Sequence, residues 1–287
     1  EITERLVGSE MCIRDSPVNM LDTSRNYAMG ESEKRIGIAI KENGGWPEKF
    51  VLSTKIDRNM DTLVLDKKRT RESIEESLKA LNVDSVDVLF LHDPEYVKDI
   101  NDVTKKDGAL DELFKIKEEG LAKAVGLAMG RIDIMFPILR KWDFDVIINH
   151  NRYTLLNREA DEMYSYAHSK NISIFNAAPY AGGVLAKGPS NFKKITYQDA
   201  TEEKLAPAIE IEKVCKKYNV EMGAAALQFS MKDKRITSTI CGVTSVQSIE
   251  KNLAWAKTDI PEEFWNEVLK LPYSTKDPES ERTYTPG

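Results

Sequence analysis

Cysteine is scarce in this chain of 287 residues: Cys12, Cys215 and Cys241 are the three present, and no two share C-x-x-C spacing. That usage excludes a disulfide framework and a cysteine-rich zinc site, and it points to a reducing, cytoplasmic setting. Long hydrophobic runs are missing as well. The apolar stretches are strand-length, far short of the ~20 residues that a membrane-spanning helix needs. The opening residues lack the basic, then apolar, then small-residue order of a secretion signal. There is no basic stripe, because 41 Lys and Arg are interspersed with 47 Asp and Glu for a formal charge of -6, so no nucleic-acid partner is expected. No linker rich in Pro, Gly or Ser divides the chain, and residues 18–287 are expected to form one domain. Finally, no G-x-G-x-x-G follows an apolar run, which removes the open dinucleotide-binding sheet.

What is present is alternation. From Val18 onward seven β-rich runs occur: VNMLDTS, FVLSTK, VDVLFLHD, AKAVGLAM, DVIINHN, ISIFNAA and TSTICGV. Between them ESEKRIGIAIKEN, KKRTRESIEESLKALN, GALDELFKIKEEG, RIDIMFPILRKW, NREADEMYSYAHSKN and EEKLAPAIEIEKVCKKYN carry apolar residues at helical spacing, with Gly44, Gly120 and several Asn as helix stops. Strand to helix to strand is the signature of parallel α/β architecture. With the open sheet disfavoured, the expected fold is a closed (β/α)8 barrel. A complete barrel needs a strand and a helix before VNMLDTS, and EITERLVGSEMCIRDSP reads as neither. Its tract VGSEMCIRDS looks like a translated sequencing adapter, so residues 1–17 are expected to be a non-native or disordered leader and the first βα unit to be lacking.

Four polar residues stand at or just past the downstream ends of the first three runs: Asp22, Tyr27, Lys55 and His92. In a barrel that rim carries the active site. A tyrosine phenol titrates near ~10, and a neighbouring ammonium stabilises its phenolate, so Lys55 is expected to lower the Tyr27 pKa into a usable range. Asp22 would hold Lys55 by a charge-assisted hydrogen bond, and His92 would donate from a ring nitrogen to a substrate oxygen. Such a set moves a proton on and off an oxygen without a metal. Redox chemistry would need a bound cofactor, because none of these side chains accepts hydride. Taken singly each residue has a plainer reading: Asp22 as a helix cap, Lys55 as a solvated surface charge, His92-Asp93-Pro94 as a turn. Four on one rim favour chemistry.

These residues resemble a known family. DTSRNYAMGESEKRIG is similar to the aldo-keto reductase signature of Asp, a Tyr five residues on, then Gly-x-Ser-Glu and Leu/Ile-Gly, and STK and LFLHDP fall in order at the family's Lys and His strand ends. The similarity runs from about Val18 to about Leu269. It implies a TIM barrel of the aldo-keto reductase type, Asp22, Tyr27, Lys55 and His92 as catalytic tetrad, no metal, and NAD or NADP as cofactor. AVGLAMGRIDIM, NRYTLLNREA, ISIFNAAPYAGGVLAKG and LHDPE look like the subgroup of aldose 1-dehydrogenases acting on L-fucose, L-galactose or D-arabinose, which also holds a pyridoxal dehydrogenase. The implied reaction is oxidation of an aldose to its lactone, with an aldose or aldehyde as the small-molecule partner, in a monomer or weak homo-oligomer. The alternatives are a general aldehyde or ketone reductase, a pyridoxal dehydrogenase, and a non-catalytic cofactor-binding subunit like the potassium-channel β-subunits.

The same resemblance assigns a cofactor cradle. ICGVTSVQSIEKN corresponds to the family's last strand and following helix, which implies that Gly242, Thr244, Ser248 and Asn252 contact the adenosine phosphate end. Strongly NADP-preferring relatives carry Lys or Arg in this segment, and here Cys241, Thr244 and Ser248 stand instead. NAD is therefore expected to be accepted at least as well as NADP. Tyr180 and Gly183 belong to the implied cofactor site, the Gly182-Gly183 turn letting the backbone approach the pyrophosphate, or serving as a plain tight turn. His150 and Gly130 depart from the family at positions facing the nicotinamide amide. His150 has two readings, a carboxamide partner in place of Gln or an interior histidine satisfied by a neighbour. Arg152 and Tyr153 either line the sugar pocket or, for Tyr153, pack between strand and helix.

Overall fold

The computed structural model describes residues 18–282, and the expected leader at 1–17 lies outside them. The chain resolves into two compact units, one running to Ile148 and one beginning at Asn149. All seven expected strands form: β1 (Met20–Asp22), β2 (Val51–Ile56), β3 (Val86–His92), β4 (Ala122–Met129), β5 (Val146–His150), β6 (Ser173–Ala177) and, after a short hairpin of β7 (Lys194–Ile195) and β8 (Gln198–Asp199), β9 (Ser238–Ile240). Among the described residues no helix is long and apolar enough to cross a membrane.

In the first unit β1 to β4 pair in sequence order and all parallel. Consecutive residues Leu89, Phe90 and Leu91 of β3 are fully buried, so both strand faces are covered, as parallel sheets require. The register sets Asp22 beside Ser53, Lys55 beside Phe90 and His92 beside Ala128, which gathers the polar strand ends on one edge. Helix Lys67–Leu81 is started by Asp66, whose side chain accepts from the Arg69 amide at 2.8 Å, and stopped by Asn82 in the left-handed region. Its stripe Thr70, Ser73, Ile74, Ser77 and Leu81 is buried. Helix Glu31–Glu42 packs close to it through Gly37, where a Cβ would come within 2.0 Å of the Ala80 carbonyl oxygen. Any side chain at position 37 would push the two helices apart.

In the second unit β6 and β9 pair in parallel, Phe175 beside Ser238 and Ala177 beside Ile240. Helix Glu202–Lys217 lies where the periodicity puts it. Helix Met222–Met231 does not follow from periodicity, because Met222 through Leu227, Phe229 and Ser230 are all buried, and a helix covered all round has no apolar stripe. Tyr153 is an interior residue: its hydroxyl donates to Asp233 at 2.6 Å and its ring stacks on Phe229. Of its two sequence readings, packing is the one observed.

The chain's closing segment is stitched onto the loop after β5. The Ser274 amide donates to the Leu156 carbonyl (2.9 Å), the Arg158 amide to the Ser274 carbonyl (2.8 Å), and the Asn157 side-chain amide to the Lys276 carbonyl (2.8 Å). Arg152, only 1% exposed, binds Asp277 at 2.5 Å and Glu279 at 2.8 Å. Its guanidinium is taken up in anchoring this strap. Burial pushes the Glu279 carboxyl up, but His150 and Arg152 outweigh burial and hold it at about 2. A depressed carboxyl stabilises the fold above the unfolded-state value of ~4.3, and that stability is lost as pH falls from there through about 2. Glu279→Gln is thus expected to be less stable at neutral pH and to lose less on acidification. Urea midpoints followed from pH 7 to pH 2.5 check this, and parallel curves for variant and wild type would contradict it.

Candidate active site

The four residues singled out in the first three runs come together in the first unit. Asp22 ends β1 and accepts from Ser53 Oγ at 2.7 Å and from Lys55 Nζ at 2.6 Å. Lys55 Nζ also donates to the Thr23 carbonyl oxygen at 2.6 Å, and its side chain is 2% exposed. Two oxygens fix this ammonium, which lies 4.6 Å from the centroid of the Tyr27 ring. Tyr27 opens a short turn in which Ala28 (φ 52), Met29 (φ 54) and Gly30 (φ 84) are all left-handed. Such conformations cost on the order of 1 kcal/mol or more for residues with a Cβ, and they persist where the surroundings impose them. The His92 ring meets the Tyr27 ring edge-on, centroids 5.8 Å apart.

The electrostatics correct one expectation. Burial raises the Tyr27 phenol above its ordinary value; Lys55 pulls it down and Asp22 pushes it up, and the net direction is upward although 42% of the residue's surface stays open. Lys55 tempers the phenol and does not bring it into the neutral range. For Lys55 burial disfavours the ammonium, but Asp22 and Tyr27 outweigh it and the pKa is raised. The ammonium is therefore charged at any working pH.

One residue of this cluster escaped the sequence reading. Asp57, 2% exposed, accepts from His92 Nδ1 at 2.7 Å, from the Asn26 amide at 3.0 Å and, over a short contact, from Ser24 Oγ. Asp57 stands two positions past Lys55 and Ser24 two positions past Asp22, and alternate positions of an extended segment share a face. That alternation is the signal that would have found both.

The residues of the implied cofactor cradle lie in the second unit. Tyr180, Cys241 and Asn252 meet: the Tyr180 hydroxyl donates to Asn252 Oδ1 at 2.7 Å and lies 3.8 Å from Cys241 Sγ. Thr244 and Ser248 meet at the start of helix Val246–Lys257, where Ser248 Oγ accepts from the Thr244 amide at 3.1 Å and Ser245 caps the helix. Gly242, just past β9, has open space where a Cβ would stand. The open side of Gly242 next to a helix start leaves room for an anion such as a phosphate, while the Thr244, Ser245 and Ser248 amides are taken up in the cap. At the Gly182-Gly183 turn the close approach is internal: a Cβ on Gly182 would meet the Tyr197 amide at 2.8 Å. Gly183 keeps a left-handed φ of 114. His150 stands apart from the cradle in its bonding, with Nε2 3.1 Å from Glu279 Oε2. Its side chain is 24% exposed, so it has a protein partner and an open side as well.

A parallel βα repeat with Asp, Tyr, Lys and His at the strand ends defines a class, and the chain belongs to the aldo/keto reductase family, whose pattern it matches over residues 12–271. Its fold is the TIM-barrel type of that family: a holo-form aldo-keto reductase of Bacillus halodurans matches with a TM-score of 0.78 at 19% identity, covering 99% of this chain and 91% of that one. Among characterised relatives it is similar to D-threo-aldose 1-dehydrogenase of a Pseudomonas species, 29% identical over 282 residues, 89% of this chain and 84% of that protein. L-Galactose dehydrogenase of Arabidopsis thaliana is 30% identical over 249 residues, 83% of this chain and 73% of that protein. The chain is thus an oxidoreductase of a family that uses nicotinamide cofactors.

Proposed function

We propose that the protein oxidises an aldose at its anomeric carbon to the lactone, accepting NAD at least as well as NADP. The observation that carries this reading is the arrangement at Lys55, its ammonium fixed by Asp22 and Thr23 within reach of the Tyr27 ring. When bound, a nicotinamide supplies or accepts the hydride. Tyr27 handles the proton: as phenol it gives one to a carbonyl oxygen, and as phenolate it takes one from the anomeric hydroxyl. Lys55 stabilises the phenolate, Asp22 keeps Lys55 in place, and His92 bonds the substrate oxygen. Since the Tyr27 pKa is raised, the residue rests as a phenol at neutral pH. It is ready for reduction and must lose its proton before oxidation, so aldose oxidation speeds up with pH.

The relatives' names, both of aldose-type dehydrogenases, support the sugar substrate. For the cofactor, Gly242, Thr244 and Ser248 would take the phosphate end, with Tyr180, Gly183 and Asn252 completing the cradle. No Lys or Arg occurs from Cys241 to Ser248, so the 2′-phosphate of NADP would lack the cationic partner it needs. The test is absorbance at 340 nm with L-fucose, L-galactose, D-arabinose and pyridoxal, each with NAD and NADP. An aldose-dependent signal, at least as strong with NAD, is expected. A signal with pyridoxal alone, or reduction of simple aldehydes without sugar oxidation, would replace the aldose reading. No turnover with any of them would favour a non-catalytic cofactor-binding subunit.

A further inference from the structure

His92 is buried against a carboxylate for which the tetrad has no use. Asp57 Oδ1 sits 2.7 Å from His92 Nδ1. The other oxygen, Oδ2, is occupied by two donors, the Asn26 amide at 3.0 Å and the Ser24 hydroxyl. Ser24 Oγ also lies 3.3 Å from Nδ1, but its proton is directed at Oδ2. With both donors on Oδ2 and, against the effect of burial, its pKa lowered by His92, Asp57 is taken as an ionised acceptor, and a carboxylate that only accepts obliges Nδ1 to carry a proton. The consequence falls on the opposite nitrogen. If the ring is neutral, Nε2 has no proton and can only accept; if the ring is an imidazolium, Nε2 donates.

We propose that Asp57 is the positioning residue of His92, fixing the proton on Nδ1 so that the polarity of Nε2 towards substrate is set by one protonation event. The imidazolium donates to the carbonyl oxygen of an aldehyde or lactone. The neutral ring accepts from the hydroxyl of an aldose. This inference rests on the tetrad as the reacting site, and it adds to that site a residue that selects which of the two substrate oxygens His92 can hold.

The surroundings bear on the balance. Asp93 Oδ1 lies 3.6 Å from His92 Nε2, Lys55 is the nearby cation, and the edge of the Tyr27 ring closes another side. Burial disfavours the imidazolium, but Asp93 and Asp57 outweigh burial and Lys55, and the His92 pKa is raised. The partner moves oppositely: burial raises the Asp57 carboxyl, and His92, Ser24 and Asn26 outweigh it, so it is lowered. A raised imidazole keeps its proton to higher pH and loses it as pH rises through the shifted value. Donation from Nε2 therefore persists to higher pH than an ordinary imidazole would allow and is lost on the alkaline side.

Asp57→Asn separates charge from shape, since the amide oxygen still accepts from Nδ1 while the negative charge is gone. Two readouts are taken. One is the ¹⁵N-edited imidazole spectrum of the whole protein against pH, with the His92 signal assigned from its loss in His92→Gln. The other is the pH profile of kcat/KM for carbonyl reduction. In the wild type His92 is expected to titrate above ~6.5 with Nδ1 protonated in its neutral form. In Asp57→Asn both the spectroscopic midpoint and the alkaline limb of the rate profile should move acidward together, by about 1–3 pH units for loss of one adjacent opposite charge. Asp57→Glu should restore part of the shift. An unmoved midpoint in a folded Asp57→Asn variant, or an Nε2-protonated neutral ring in the wild type, would overturn the proposal. A midpoint that moves in Asp57→Asn while the wild type turns over none of the substrates would uphold the Asp57–His92 linkage and remove the enzymatic reading instead.

Discussion

Tyr27→Phe is expected to lower kcat for hydride transfer by about 10²–10⁴-fold, the usual worth of a positioned proton donor, while binding of NAD stays within a few-fold of the wild type. The reasoning starts from distance. Lys55 Nζ is already committed to Asp22 and to the Thr23 carbonyl, each at 2.6 Å, so it cannot take over proton delivery. His92 Nδ1 is committed to Asp57, and Nε2 bonds an oxygen without replacing a phenol. The wild type should also show aldose oxidation rising with pH, because the Tyr27 pKa is raised, and the variant should lack that limb. Stopped-flow turnover and fluorescence titration of cofactor separate the two effects. Residual turnover within tenfold of wild type would show that the proton moves by another route.

The second large effect is on stability. Lys55→Met is expected to destabilise the protein by about 3–5 kcal/mol, because removing one partner of a buried ion pair strands the other. Both partners qualify: the Lys55 side chain is 2% exposed and that of Asp22 is 7% exposed. The loss should not reflect strand propensity, since Lys55 stands at the downstream end of β2 and Met is a flexible apolar side chain that fills such a site. Pairing it with Asp22→Asn removes the stranded carboxylate, so the double variant should be more stable than Lys55→Met alone. Denaturant midpoints of the two single variants and the double variant check the idea. Strictly additive losses would mean that the pair is not coupled and that the cost lies in packing. Lys55→Met should also move the Tyr27 titration further up, since Lys55 is the group that draws it down.

The four proposed site residues were legible in the sequence because Asp22, Lys55 and His92 stand at the ends of recognisable apolar runs and Tyr27 follows Asp22 by five residues, and short runs between amphipathic stretches make the strand ends countable. The strands were legible for the same reason. Asp57 was missed because a lone carboxylate after a strand is most often solvated; its two-position spacing from Lys55 marks a shared face, and the register of β2 against β3 brings it to His92. The strap was not legible either. Asp277 and Glu279 lie in a polar stretch that carries no periodicity, and their partner Arg152 is more than a hundred residues away, a pairing that loop closure permits at little extra entropy. Helix Met222–Met231 was hidden by its own burial. The direction of the Tyr27 shift was hidden because a sequence gives the neighbouring charge but not how much water is removed from both.

The turn that carries Tyr27 has a further meaning for how this enzyme can change. Three residues in succession, Ala28, Met29 and Gly30, hold a left-handed backbone, while Met29 leaves 85% of its surface open. Backbone shape and side-chain identity are thus uncoupled at this spot: the hydroxyl is aimed by the path of the chain, and the side chain of Met29 takes little part in holding it. A directed-evolution library can vary Met29 freely, with Asn and Gly tolerated best, and change the exposed surface beside Tyr27 while the Tyr27 ring stays where it is.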